Sequence, residues 1–133
     1  MQSFRRFITH VPEVADPVAP ISHAVVVGAH CHVSGQLSVD SGGCYVRGSA
    51  TEEAERAFAN VFAILRAAEF QPSDIVYVDI ALHDLTELPE VNAVYARLFP
   101  EGQRPARTIY QATALPYGGR VKVQATAIRE LSA

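Results

Sequence analysis

The sequence predicts an α+β fold in which a mixed β-sheet is covered on one face by two helices. Residues 51–68 and 88–98 repeat apolar side chains every three or four positions, as helices with one buried stripe do. Residues 75–82 are rich in β-branched side chains, and residues 121–128 alternate apolar with polar ones. Helices on a single face suffice for a chain of 133 residues, so we expect one domain spanning 1–133.

The amino-terminal third predicts a strand and a hairpin. A short strand at residues 4–9 precedes an irregular connection that contains three prolines. Residues 24–27 and 30–35 are strand-like runs on either side of the two-residue turn Gly28-Ala29, a pattern typical of a β-hairpin. Residues 39–49 have turn chemistry without a helical period, which predicts a loop.

The first helix is expected to begin near Thr51, with Ser49 and Glu52 at the spacing of a capping box. Its apolar stripe leaves three polar side chains on the other side: Glu53, Arg56 and Asn60. The run 75–82 shows little polar alternation, which predicts an inner strand covered on both faces. The second helix opens with Pro89 in its first turn.

Two strands close the chain. The first begins at about Arg107, and the turn 116–119 separates it from the second, so the pair predicts another hairpin. The last strand places Lys122, Gln124 and Thr126 on one polar face and apolar residues on the other. We therefore expect one buried and one polar face.

The composition excludes several classes of protein. A formal charge of −3, 49% hydrophobic residues and 19% charged residues fit neither a disordered chain nor a typical nucleic-acid-binding protein. No apolar run approaches the ~20 residues that span a bilayer, and the first residues lack the apolar core of a signal peptide. We expect a cytoplasmic protein without nucleic-acid or membrane partners.

The segment Arg104-Pro105-Ala106-Arg107-Thr108 is the strongest candidate for a binding site. A guanidinium is a planar, permanently charged fork, and the proline fixes the backbone just before Arg107, which suits the binding of a small carboxylate. Two other interpretations stay open. The charges could be solvated on a loop, or an arginine could bind backbone carbonyls.

Histidine and cysteine residues do not predict a metal site or another cofactor. His30 and His32 share one strand face, but no third ligand lies at a recognisable spacing. They are interpreted as polar residues of a half-exposed strand or as interface contacts. Cys31 points to the opposite face and is expected to be buried, whereas Cys44 lies in a glycine-rich loop and is expected to be exposed.

Several motifs occur in an order that resembles one family. Over residues 18–128 the chain is similar to the Rid family of reactive intermediate deaminases (YjgF type). The resemblance rests on Ser34-Gly35-Gln36, helix residues 54–65, residues 92–100, Pro105-Ala106-Arg107-Thr108, Ala114-Leu115-Pro116 and Val121-Lys122-Val123-Gln124-Ala125.

This resemblance implies a chorismate-mutase-like fold and a homotrimer with ligand sites in clefts between subunits. It implies hydrolysis of small enamine and imine acids, such as 2-aminoacrylate and 2-iminopropanoate, to ammonia and a 2-oxo acid. A ligand-binding or chaperone-like relative that binds small carboxylates is the alternative. RNA cleavage, claimed for some relatives, finds little support in an acidic chain.

The resemblance also implies roles for particular residues. Arg107 occupies the position of the family's arginine that grips the substrate carboxylate. Asn92 matches a helix residue near the same cleft and could instead hold backbone in place. The other residues expected to line the cleft or touch the ligand are Ser34, Gly35, Thr108, Ile109 and Lys122.

Two positions depart from the resemblance. Ile21 stands where other members carry a tyrosine, and Lys122 stands where the imine hydrolases are expected to carry a glutamate. An ammonium cannot accept a hydrogen bond, so acid–base work would pass to another group or to Lys122 itself. His23 could supply a proton near pH 7. Arg107 and Lys122 in one cleft would favour a dicarboxylate.

Overall fold

The computed structural model describes residues 4–130 and confirms the α+β fold. Its elements in chain order are β1 (Arg5–Ile8), β2 (Ala24–Val27), β3 (His30–Gln36), α1 (Ala50–Ala67), β4 (Ile75–Leu82), α2 (Leu88–Leu98), β5 (Ala106–Gln111) and β6 (Val121–Ile128). Short 3₁₀ turns occur at Pro72–Asp74, Leu85–Glu87 and Pro116–Gly118.

The six strands form one mixed sheet in the order β1-β2-β3-β6-β4-β5. Strands β4 and β5 are parallel and the other neighbours are antiparallel, so α2 makes the crossover between β4 and β5. The hairpin of β2 and β3 is confirmed. The second predicted hairpin is wrong, because the connection 112–120 carries β6 past β4 to lie between β3 and β4.

Helix α1 begins with the capping box that the sequence predicts. The Ser49 hydroxyl accepts a hydrogen bond from the Glu52 backbone N–H at 3.1 Å, and the Ser49 N–H donates to the Glu52 carboxylate at 2.9 Å. Together the two bonds satisfy backbone donors that the first turn leaves unpaired. The apolar stripe of α1 is buried, including Ala54, Phe58 and Val61.

The position of Glu53 differs from the prediction that it lies on the polar, solvent-facing side of α1. Its side chain is fully buried, although the helical period places it away from the main stripe. Its carboxylate accepts hydrogen bonds from the Tyr45 hydroxyl at 2.6 Å, the Gly48 N–H at 3.1 Å and the Arg120 N–H at 3.0 Å. The loop before α1 and the start of β6 therefore cover a side of the helix that the sequence pattern assigns to solvent.

The two faces of the sheet differ in what covers them. On the helix face, Val78, Ile80, Val123 and Ala125 are buried beneath the helices. On the open face, Tyr77 of β4 is 39% exposed. The inner position of β4 is confirmed, since it lies between β6 and β5, but one chain covers only one of its faces. Within residues 4–130, no helix is long and apolar enough to cross a bilayer.

Candidate functional site

Arg107 lies on the helix face at the edge of the sheet. It pairs in register with the buried Val78, so its side chain shares that residue's face. The guanidinium carbon lies 4.8 Å from the ring centroid of Tyr95 on α2, close enough for a cation–π interaction. The Tyr95 hydroxyl donates to the Pro105 carbonyl at 3.2 Å and fixes the ring beside the proline.

The two arginines of the Arg104–Thr108 segment have different surroundings. Arg104 donates through Nε to the Phe99 carbonyl at 3.1 Å, which is the backbone-bound role left open by the sequence. Arg107 is half-buried, and the described part of the chain offers it no ion pair or hydrogen-bond acceptor. Its donors are therefore available to an anion, and Arg107 is the arginine that suits a ligand.

The two residues after Arg107 point to opposite faces. Ile109 returns to the helix face and packs against the core. Thr108 lies on the open face, where its hydroxyl shares a hydrogen bond with the Tyr77 hydroxyl. Only Ile109 is thus on the same side of β5 as the guanidinium.

Ser34 and Gly35 lie at an irregularity in the pairing of β3 with β6. The Ser34 hydroxyl donates to the Ser22 carbonyl at 2.6 Å, and the Ser34 N–H donates to the His23 carbonyl at 2.8 Å. The Lys122 side chain lies directly over Gly35. A Cβ at Gly35 would meet Lys122 Cγ at 3.3 Å and Cδ at 3.4 Å and would collide with Cε. The missing side chain at Gly35 therefore makes room for Lys122.

Gly35 and Lys122 are part of a cleft of about 510 Å³. Residues 14–21 form one wall, β3 and the loop after it form the floor, and Pro116 and Tyr117 form part of the rim. Most of the lining is apolar, and its carboxylate, imidazole and ammonium groups belong to Asp16, His23 and Lys122. The cleft is large enough for a ligand well beyond three or four carbon atoms.

Arg107 does not line this cleft, and a single chain does not bring it to Lys122. Lys122 pairs with Ala81, which pairs with Tyr110, whereas Arg107 pairs with Val78. Positions separated by an odd number of residues along β5 point to opposite faces, so the two cations lie on opposite sides of the sheet. The preference for a dicarboxylate, which needs both cations at one cleft, therefore stays a prediction for the assembled protein.

His23 is a buried titratable residue in the lining of the cleft. Its side chain is 3% exposed, and its Nε2 atom has no hydrogen-bond partner among the described residues. Burial lowers the pKa of His23 below its ordinary value of 6.5, partly offset by the nearby Asp16. The lowered pKa favours the neutral ring at pH 7, in which one nitrogen keeps its N–H, and the role of His23 as a proton donor stays a prediction.

We expect the stability of the folded protein to depend on pH, because the buried His23 ring is neutral in the folded state. The unfolded chain binds a proton at His23 more readily than the folded protein does, so the free energy of unfolding is expected to fall as pH drops below 6.5. Urea denaturation of wild type and His23→Gln at pH 7.5 and pH 5.5 measures this change. A loss on acidification that is equally large in His23→Gln would assign the effect to other groups.

The histidine and cysteine side chains of residues 4–130 lie in different surroundings. No group of three or more His, Cys, Asp or Glu side chains there is arranged to hold a metal ion. The rings of His30 and His32 are stacked with centroids 6.4 Å apart on the open face. Burial raises the pKa of the Cys31 thiol to about 11, so it remains protonated, and Cys44 is exposed as expected.

Comparison with known proteins identifies the family. The family model described as "Endoribonuclease L-PSP" matches residues 12–129. The chain belongs to the Rid (YjgF, L-PSP) family. The 2-iminobutanoate/2-iminopropanoate deaminase of Capra hircus is 37% identical over 130 residues, which are 97% of this chain and 94% of that protein.

Solved structures agree with the Rid fold. RidA from an Antarctic Psychrobacter species has a TM-score of 0.87 at 31% identity, covering 93% of this chain and 100% of that one. E. coli TdcF, solved with bound serine, has a TM-score of 0.86 at 26% identity, covering 94% of this chain and 100% of that one.

In this Rid chain, one predicted site residue, Asn92, and one further polar residue, Gln124, are exposed. Asn92 lies on the exposed side of α2, beside the inward-facing Val91 and Val94, so holding buried backbone is not its role. Gln124, for which no role was predicted, is exposed on the open face and pairs with Asp79. Its alternation with Lys122 already placed both on one polar face, so the signal was available.

Proposed function

We propose that this Rid protein hydrolyses small enamine and imine carboxylic acids to 2-oxo acids and ammonia, at clefts between subunits of a homotrimer. The observation that carries the proposal is the half-buried guanidinium of Arg107, which has no acidic partner in the described chain, in a protein 37% identical to a 2-iminobutanoate/2-iminopropanoate deaminase. A relative that binds serine supports a site for small carboxylates.

The open face of the sheet supports assembly with further copies of the chain. Large apolar side chains remain exposed there, including Tyr77 at 39% and Tyr110 at 48%. At the other end of the sheet, β1 and β2 expose Phe7 at 61% and Val27 at 39% on the same face. Exposed apolar side chains at both ends of one sheet face favour contacts with other protein surfaces. In the proposed trimer, Arg107 of one subunit faces the cleft that Gly35 and Lys122 form in its neighbour.

The proposed reaction begins with the carboxylate. Arg107 binds it through two parallel N–H···O bonds, which fixes the adjacent C=N carbon and withdraws electron density from it. Water attacks that carbon: a C–O bond forms, the π bond of C=N breaks, and one proton of the water passes to the nitrogen, which gives a carbinolamine. The remaining hydroxyl proton is then transferred to the amino nitrogen as the C–N bond breaks and the C=O bond forms, so that ammonia departs and the 2-oxo acid remains.

Because position 122 is a lysine, proton transfer in the proposed reaction depends on groups other than a carboxylate at that position. The Lys122 ammonium can donate a proton or stabilise negative charge, and the Gln124 amide can orient water but cannot exchange a proton at neutral pH. Imines hydrolyse readily in water, so binding and orientation alone give a rate advantage. We therefore expect a measurable rate of hydrolysis that is lower than in a family member with a glutamate in the site.

The experiment generates the imine and follows its fate. An amino-acid oxidase with catalase converts alanine to 2-iminopropanoate, and semicarbazide traps the imine that survives. Added protein is expected to lower the rate of trapping in proportion to its concentration. No change at micromolar protein would reject the deaminase, and binding of pyruvate in the same preparation would then favour the ligand-binding alternative.

A further inference from the structure

Resting on the proposed function, we propose that Tyr117 determines substrate specificity and that the cleft selects 2-imino acids with a large apolar or aromatic side chain. In this arrangement the acid head lies at the Lys122 end and the side chain packs against the Tyr117 ring. Such substrates are larger than the three- and four-carbon imines that the names of the relatives specify.

The backbone of Tyr117 has a conformation that is unusual for a residue with a side chain. Its φ of 64° and ψ of 6° place a bulky residue in the left-handed region, where glycine is usual. Gly118 follows with a φ of 70°, and Gly119 is buried. Such strain in a non-glycine residue concentrates at ligand sites. Here it holds an aromatic ring at the rim of the cleft, where the ring stays 53% exposed.

The ring of Tyr45 supports the position of the Tyr117 ring. The rings of Tyr45 and Tyr117 are nearly parallel, with centroids 6.3 Å apart and 10° between their planes. The Tyr45 hydroxyl donates to the buried Glu53 carboxylate at 2.6 Å, so Tyr45 is fixed from within the core. Tyr117 is thus a preorganised aromatic surface, which reduces the entropy lost when a ligand binds.

The rest of the cleft matches an apolar side chain. Besides Tyr117, its walls include Val18, Ile21, Leu37 and Val39. A volume of about 510 Å³ lies in the range that holds ligands much larger than 2-iminopropanoate. A methyl side chain would leave most of this apolar surface in contact with water, whereas a benzyl or isobutyl group would cover it.

The polar groups of the cleft lie at the end where the carboxylate and imine groups of the substrate would bind. Lys122 crosses Gly35 on the floor of the cleft, and a carboxylate or the developing oxyanion can pair with its ammonium. The neighbouring His23 ring is neutral at pH 7 and adds no competing charge. The Asp16 carboxylate, hydrogen-bonded to His10 at 2.8 Å, disfavours a second anionic group along the first wall.

The test measures binding separately from catalysis. Titration calorimetry compares phenylpyruvate with pyruvate, which share the oxo-acid head and differ only in the ring. The wild type is expected to bind phenylpyruvate at least tenfold more tightly, and Tyr117→Gly is expected to lose most of that ratio. Glycine accepts the positive φ, so this variant retains the loop conformation. Tyr117→Phe keeps the ring and is expected to keep the ratio.

Glu69→Gly is a matched control, because Glu69 is the other non-glycine residue with a positive φ in the described chain, at 69°, and it does not line the cleft. It is expected to leave the ratio unchanged. Equal affinity for the two acids in wild type, or an unchanged ratio in Tyr117→Gly, would overturn the inference. If the deaminase assay fails but phenylpyruvate still binds preferentially, the proposed reaction is rejected and the specificity of the cleft stands.

Discussion

Replacing Arg107 by alanine is expected to lower kcat/KM for imine hydrolysis about 100-fold, because two charge-assisted hydrogen bonds to the carboxylate are lost. The fold is expected to lose only the cation–π contact with Tyr95, worth about 0.5–1 kcal/mol at a half-exposed site. The semicarbazide competition assay measures the rate, and urea denaturation measures the free energy of unfolding.

Arg104→Ala is the control for this prediction. It removes a guanidinium three residues away that binds the Phe99 carbonyl, so it is expected to affect stability more than kcat/KM. Arg107→Lys keeps the charge but loses the planar fork, and it should fall between wild type and Arg107→Ala. Similar rate losses in Arg104→Ala and Arg107→Ala would show that the segment acts through its conformation rather than through one guanidinium.

The roles of these two arginines illustrate what the sequence could and could not predict. The resemblance pointed to Arg107 as the carboxylate-binding arginine, but residue chemistry alone did not distinguish it from Arg104 as a donor. Only the structure shows that Arg104 folds back on the helix end while Arg107 enters the sheet beside Tyr95. Sequence spacing predicts which residues share a strand, and tertiary contacts decide which of their donors remain unpaired.

Local sequence patterns predicted the bounds of the helices and strands well, but they predicted less well which strands pair with each other. Helix α2 has the predicted bounds of residues 88 and 98, since its stripe and Pro89 are encoded within eleven residues. The partner of β6 is set instead by residues more than 35 positions away, at β4, and no local signal separates this pairing from a hairpin with β5. The same non-local register places Arg107 and Lys122 on opposite faces.

The cleft could not be predicted for a related reason. Its wall of residues 14–21 has no helical or alternating pattern, and it contributes to a site only because it folds over the end of β3. Ile21 and His23 were recognised as neighbours of the site from the resemblance. Tyr117 was assigned only to a turn, because a positive φ in a tyrosine is not encoded in its sequence neighbourhood.

Replacing Glu53 by alanine is expected to lower the free energy of unfolding by about 3–5 kcal/mol, one of the largest effects of any substitution in this chain. The change removes a fully buried carboxylate and leaves the Tyr45 hydroxyl and the N–H groups of Gly48 and Arg120 without their acceptor. It also removes the more distant of two carboxylate partners of the Arg120 guanidinium, which lies 3.9 Å from Glu53 through Nε and 2.9 Å from Glu87 through Nη1. Urea denaturation followed by circular dichroism measures the loss.

Glu55→Ala is the matched control, because Glu55 lies two residues along the same helix and pairs with Arg97 at 3.2 Å on the exposed surface. That ion pair is expected to contribute less than about 1 kcal/mol. Glu53→Gln retains one acceptor oxygen and should be intermediate. Equal losses in Glu53→Ala and Glu55→Ala would contradict the buried network.

The network also connects stability with the specificity of the cleft. Tyr45 is bound by Glu53 and supports the ring of Tyr117, so Glu53→Gln should weaken the preference for phenylpyruvate over pyruvate even under conditions where the variant is fully folded. A variant that is destabilised but keeps the full preference would show that the strained backbone at Tyr117 positions the ring without help from Tyr45.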